Sequence, residues 1–386
     1  MNEAEKQINY PQIYLAIDNC FAYKRWTRPR EWCALISGLG LKYIEAGADN
    51  ELDPLFMGEE YLADWVEEVK RAEEDSGVRV ASLYSGHGTY TTLGLTHTDP
   101  RVRRRLIDKW FKPMADAACG LGAGLGFFAH GFPHRVLQES ALYRDSVELL
   151  KEGLVEINRY AASGKCRFLG IEQMYSPHQY PWTISQTRDL IGAVTKKSGA
   201  PFYFTEDVGH HRLVFQKPDL SALPSGAGIK HKPWLGSDRA FALAEAGRTA
   251  ELEEEIRRIP HLFSQPQDND CYAWLSELGA YSPVIHLQQT NGHASDHLPF
   301  TAEHNGGGII DGGKVLRALK ASYEKAPARD MPPRCGKIYL TLEVFAGTAA
   351  VMHNFLSDIR ESVSWWRRWI PRDGVRLDEL VREIRQ

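Results

Sequence analysis

The stretch Phe202-Tyr-Phe-Thr-Glu-Asp-Val-Gly-His-His211 runs an apolar, aromatic segment straight into two carboxylates and two imidazoles. Phe202 to Asp207 has the length and the β-favouring side chains of a strand buried on both faces. Carboxylates and imidazoles are poor residues for a core, because burying one unpaired costs several kcal/mol. The stretch therefore reads as a buried strand whose C-terminal end carries chemistry. Seven more runs of the same kind lie on either side of it. Before it come Ile13 to Asp18, Tyr43 to Gly47, Arg79 to Tyr84, Leu125 to His130 and Arg167 to Glu172, and after it Val284 to Gln288 and Lys337 to Glu343.

Helical patterns fill the gaps. Tyr61 to Glu74 and Arg101 to Ala118 repeat apolar residues every three or four positions, and Tyr143 to Ala161, Asp238 to Arg258 and Gly312 to Tyr323 also read as helices. Eight β units alternating with helices predict an α/β fold, a (β/α)8 TIM barrel occupying 1–386 as one domain. An open doubly wound sheet is the alternative. No G-x-G-x-x-G or Walker-type loop follows the first strand, which counts against it. One connection is oversized, the long insertion between strands six and seven from His210 to Ser282. It holds the stretch KPDLSALPSGAGIKHKPW, residues 217–234, and then an acidic helix. It reads equally as a lid or as a surface excursion. A C-terminal helical extension carrying Trp365, Trp366 and Trp369 follows the last strand and is expected to pack on the barrel or on another subunit.

The composition narrows the function. A formal net charge of −4 argues against a general nucleic-acid binder, and no apolar run of about 18 residues exists to span a membrane. The six cysteines, Cys20, Cys33, Cys119, Cys166, Cys271 and Cys335, stand singly and read as free thiols of a cytoplasmic protein.

In such a barrel the reactive groups gather at the C-terminal strand ends. Those ends carry His87, His130, Glu172, Asp207, His286 with Gln288, and Glu343. One histidine at a strand end is ordinarily a satisfied hydrogen-bonding group. Acceptable ligands at four consecutive strand ends point instead to a cation held by Glu172, Asp207, His286 and Glu343. This oxygen-rich set suits one Mn2+, Mg2+ or Co2+ ion, with Zn2+ as a further option, better than a closed thiolate zinc site.

The segment FTEDVGHH also resembles the strand-six motif of the xylose-isomerase-like barrel superfamily, which includes sugar epimerases, sugar-phosphate isomerases and the AP endonucleases of family 2 such as endonuclease IV. The resemblance makes Asp207 a metal ligand and His210 a substrate or further metal contact. It matches Glu172 in GIEQMYSP, His286 in VIHLQQTNG and Glu343 in LTLEVF to the remaining ligands. By likeness to ketose epimerases, Glu172 and Glu343 are also the acid/base pair that moves a proton through an enediolate. The hydride-shift isomerases of the superfamily place a Lys soon after the strand-five Glu, whereas here Gln173, Met174 and Tyr175 follow it.

His87, His130, His210, Gln288, Asp296, His297 and Trp182 are candidates to contact a carbohydrate. Trp26, Tyr84, Tyr90 and Trp234 are further aromatics near strand ends, each more simply read as loop packing. Gly312-Gly313-Lys314 is a faint hint of a phosphate site. The expected activity is a metal-dependent isomerase or epimerase on a sugar or sugar phosphate, in a homo-oligomer. A lyase acting on a keto-sugar or inosose begins with the same deprotonation and is the first rival. A non-catalytic sugar-binding barrel would need a broken ligand set. An endonuclease IV-like phosphodiesterase is disfavoured, because Asp296 and His297 are adjacent where that family separates its Asp and His by one residue.

Overall fold

The computed structural model describes residues 8–86, 92–211, 234–347 and 349–384. Eight parallel strands follow one another around a closed barrel: β1 (Gln12–Asp18), β2 (Tyr43–Gly47), β3 (Arg79–Ser85), β4 (Gly124–Phe127), β5 (Leu169–Glu172), β6 (Tyr203–Asp207), β7 (Val284–Leu287) and β8 (Lys337–Leu342). β8 pairs with β1 over six residues, and β1 with β2 at Ile17 and Asp18, so the sheet leaves no free edge between first and last strand. A two-residue strand, β9 (Val375–Arg376), runs antiparallel to the start of β1.

The helices pack outside. In Glu59–Ser76, Leu62, Trp65, Val69 and Ala72 share the buried stripe, and Gly77 ends the helix in the left-handed region at φ 73°. The helix after β5, Ile184–Ser198, starts where Thr183 accepts from the Gln186 amide. The expected single helix from Asp238 to Arg258 is two, Asp238–Glu245 and Thr249–Arg258, because Gly247 turns the chain at φ 67°. These two close a small apolar cluster of their own around Leu243, Leu252 and Ile256, beside the main core. His134 and Gln138 after β4 contact Asp238, tying this part of the insertion to the neighbouring βα connection. The remaining part, 212–233, lies outside the described residues.

Strand four is shorter than its apolar run. The chain leaves β4 after Phe127, and His130 instead makes an isolated antiparallel bridge with Gly94. The cysteine reading needs correction as well. Cys119 and Cys166, 47 residues apart, meet as a disulfide at the end of helix Lys112–Leu121, while Cys20, Cys33, Cys271 and Cys335 are free.

The barrel interior is layered. At its N-terminal end Tyr14, Ala16, Ala81, Phe168, Val284 and Tyr339 form an apolar floor, with the rings of Tyr14, Tyr43 and Tyr339 in mutual contact. Gly124 admits this floor, since a Cβ there would stand 2.2 Å from the Phe168 ring. Above it the inward residues turn polar.

Candidate metal centre and catalytic site

Four side chains converge at the C-terminal mouth. Glu172 ends β5, Asp207 ends β6, His286 lies within β7 and Glu343 directly follows β8. One potential ligand atom of each lies within 4.8 Å of the others, and all four residues are buried. These are the four residues expected from the strand ends. His286 Nδ1 faces Glu172 Oε1 at 3.1 Å and Glu343 Oε2 at 3.3 Å, while its Nε2 meets Glu45 Oε1 at 2.7 Å. With Nε2–H donating to Glu45, the Nδ1 lone pair is turned toward the cluster.

The electrostatics show a site short of positive charge. Burial opposes protonation of His286, yet Glu343 and Glu45 raise its pKa well above the usual imidazole range. Burial would raise Glu343, but His286 and His297 hold it below the ordinary carboxylate range. Burial raises Asp207 against the pull of His210. Asp18, at the end of β1, is pushed up to about 8 by burial, with Glu45 and Glu343 adding to it. Three converging carboxylates, one correctly turned imidazole and this surplus of negative charge fit a divalent cation with hard oxygen preference.

Further side chains hold the ligands. Gln288 Nε2 lies 2.9 Å from both Asp207 oxygens, and Gly209 N donates to Asp207 Oδ1 at 2.7 Å. The glycine of the DVGH segment is needed because a Cβ at Gly209 would stand 2.3 Å from the Gln288 amide. His210 is fixed by the Gln173 carbonyl at Nδ1 and lies 3.2 Å from Asp207 through Nε2. Tyr84 donates to Glu172 Oε2. His297, at φ 49°, stands 3.3 Å from Glu343 and stacks on Phe345 with ring centres 3.9 Å apart.

A cavity of about 1080 Å3 opens over the cluster, lined by Glu172, Glu343, His210, His297 and Tyr84 among others. The other sequence candidates lie elsewhere. His130 is fully buried between Phe128 and Phe132, with Nε2 on the Tyr180 carbonyl, and burial lowers its pKa to about 4. Trp182 is fully buried, Gln288 lies behind Asp207, and Asp296 is exposed; none of them lines the cavity. His87 and Tyr90 lie outside the described residues.

Sequence reasoning missed Glu45 and Asp18. Glu45 sits mid-strand in YIEAG on the inward face it shares with Tyr43, and a register shift in β3 sets Ser82 opposite it, whose hydroxyl donates to its Oε2. The visible signal was an acid inside an otherwise apolar run. Asp18 ends the first strand and belonged with the other strand-end acids.

Comparison with known proteins agrees with the architecture. Residues 33–232 match the family model described as xylose isomerase-like TIM barrel. The D-erythrulose 1-phosphate 3-epimerase of Brucella abortus (strain 2308) is 24% identical over 255 residues, 65% of this chain and 66% of that relative. The alignment thus spans just under two thirds of the relative's length. Among solved structures, a putative xylose isomerase from Rhodospirillum rubrum ATCC 11170 superposes with a TM-score of 0.62 at 16% identity, over 92% of this chain and 99% of the other. An L-ribulose 3-epimerase gives 0.56 at 14% identity, over 97% of each chain. With the family model spanning more than half its length and the closed parallel barrel beneath it, this chain belongs to the xylose isomerase-like TIM barrel family.

Proposed function

We propose that the chain is a divalent-metal-dependent sugar epimerase or isomerase that works by proton transfer through an enediolate. The observation that carries this is the convergence of Glu172, Asp207, His286 and Glu343, with Glu172 and Glu343 lining an open cavity. The similarity to a sugar-phosphate 3-epimerase supports the reaction class. Glu172, Asp207, His286 and Glu343 would hold one ion, of the Mn2+, Mg2+ or Co2+ type. When bound, that ion supplies Lewis acidity at a carbonyl or hydroxyl oxygen and acidifies the neighbouring C–H.

The protein's own groups do the proton work. Glu172 and Glu343 come from strands on different sides of the mouth, so one can remove a proton from a carbon whose other face the second can reprotonate. Tyr84 holds one Glu172 oxygen by donating to it, which leaves Oε1 toward the cluster. His297, 3.3 Å away, favours the ionised form of Glu343, the form that can accept a proton. His210, held by the Gln173 carbonyl at Nδ1, faces Asp207 through Nε2 and so positions that ligand at the cavity wall.

The test combines metal analysis of purified protein with NMR detection of solvent deuterium entering a panel of ketoses. One bound divalent ion, with exchange reduced at least about 10²-fold in Glu172→Gln and Glu343→Gln, is expected. Deuterium entry followed by loss of water would reassign the chain as a lyase. A protein that takes up no divalent ion would sink the assigned centre.

A further inference from the structure

The described lining of the cavity over the carboxylates is acidic and apolar. Among its described lining residues there is no Lys or Arg, while Asp18, Asp49, Asp53, Glu172 and Glu343 all contribute. Phosphate recognition ordinarily draws on a guanidinium, an ammonium, an imidazolium or a helix N-terminus, and the two lining imidazoles already face carboxylates, His297 toward Glu343 and His210 toward Asp207. Arg25, beside the rim at Gly347, is committed to the Gly347 carbonyl at 2.6 Å and to the face of Phe355. The start of the short helix Pro54–Met57 is already filled by the Asp53 carboxylate, which accepts from the Leu55 amide at 2.8 Å. The Gly312-Gly313-Lys314 segment gives no substitute. Asp311 caps that helix, and Trp369 packs so closely that a Cβ on Gly312 would stand 2.5 Å from its ring.

The outer wall is apolar instead. Leu55, Phe56 and Met57 line it, as does Phe345, two residues beyond Glu343. Phe56 is 85% exposed and Phe345 54%, so apolar ring surface is open to an occupant of the cavity. The Phe345 ring is held in place by its stacking on His297. The volume, about 1080 Å3, matches the upper end of cavities that enclose drug-sized ligands, roughly 300–1,000 Å3, and exceeds what a monosaccharide fills.

We infer that the substrate is an uncharged keto-sugar bearing an apolar substituent of aromatic size, its sugar end at Glu172 and Glu343 and its substituent against Phe56, Met57 and Phe345. This inference rests on the epimerase or isomerase reading and narrows its substrate class.

The test uses the metal-loaded protein and three probes: D-fructose, D-fructose 1-phosphate and 1-O-benzyl-D-fructose. Equilibrium dialysis gives binding, and deuterium exchange gives kcat/KM. The benzyl ketose is expected to bind about tenfold tighter than either other probe and to exchange correspondingly faster. Phe56→Ala, at an exposed position, is expected to cut the benzyl-to-free ratio severalfold. Tighter binding of the phosphate, or a benzyl-to-free ratio near one, overturns the inference. So does a Phe56→Ala variant whose oligomeric state changes in sedimentation while the ratio stays put, since the rim would then belong to a second copy of the chain. If no probe exchanges deuterium, the reaction class fails, and the dialysis ranking still decides the substrate class.

Discussion

Glu45 makes no contact with the space where a cation would sit, yet it determines which nitrogen of His286 points there. An imidazole free to flip or change tautomer would present the wrong edge for part of the time. Glu45→Ala is therefore expected to weaken divalent-ion affinity about 10–100-fold, and Glu45→Gln, which keeps an acceptor, by less. Isothermal titration with Mn2+ measures this, and unchanged affinity in the alanine variant would remove the orienting role. The same pair shows why the candidate ligands were legible and their support was not. Glu172, Asp207 and Glu343 betray themselves by ending apolar runs, and His286 by interrupting one. Glu45 shares the inward face of its strand with Tyr43, but the run YIEAG alone does not show which face is inward, and the Ser82 opposite it is set there by a register shift in β3. His130 shows the converse: a polar residue beside a strand end looked available, but the backbone had already turned to pair with Gly94 and Tyr180 had taken its nitrogen.

At the scale of elements, strand order and number could be read from alternating runs, because eight buried strands in one barrel must each be short and apolar. Strand ends were less legible where tertiary pairing takes over, as in β4, and the long acidic helix was split by one glycine at Gly247. The Cys119–Cys166 contact had no local signature, since it depends on how helix Lys112–Leu121 meets the loop before β5. β4 also carries the floor's tightest tolerance. Gly124→Val should force Phe168 out of place and cost about 1–3 kcal/mol, seen as a lower urea midpoint. An unaltered midpoint would mean the floor can shift, and Gly124 would then have no packing reason.

For the whole molecule, burial of acids ties stability to pH through groups outside the four converging ligands as well. Glu51 accepts from Trp32 Nε1 in the core, and burial pushes its pKa from 4.5 up to about 8. Below pH 4.5 folded and unfolded chains both hold the proton. Between there and about pH 8 the folded chain keeps a proton that the unfolded chain has released, so stability declines as pH rises, by about 1.4 kcal/mol per unit of displacement. Glu51→Gln retains the acceptor and removes the titration. Its advantage over the parent in thermal unfolding should be small at pH 5 and largest near pH 8; a constant difference across that range would contradict the linkage.

The aromatic layer of Tyr14, Tyr43, Phe168 and Tyr339 has one more bearing, on traffic. Because it stoppers the barrel at one end, the cavity is a blind alley rather than a corridor. In the proposed reaction, reactant and product would both use the mouth at the other end, a door whose described lining includes Phe56 and Phe345. In a reversible reaction the two are near-identical occupants queuing for one door. For the proposed reaction, release past those apolar side chains then counts in turnover alongside the chemistry at the carboxylates.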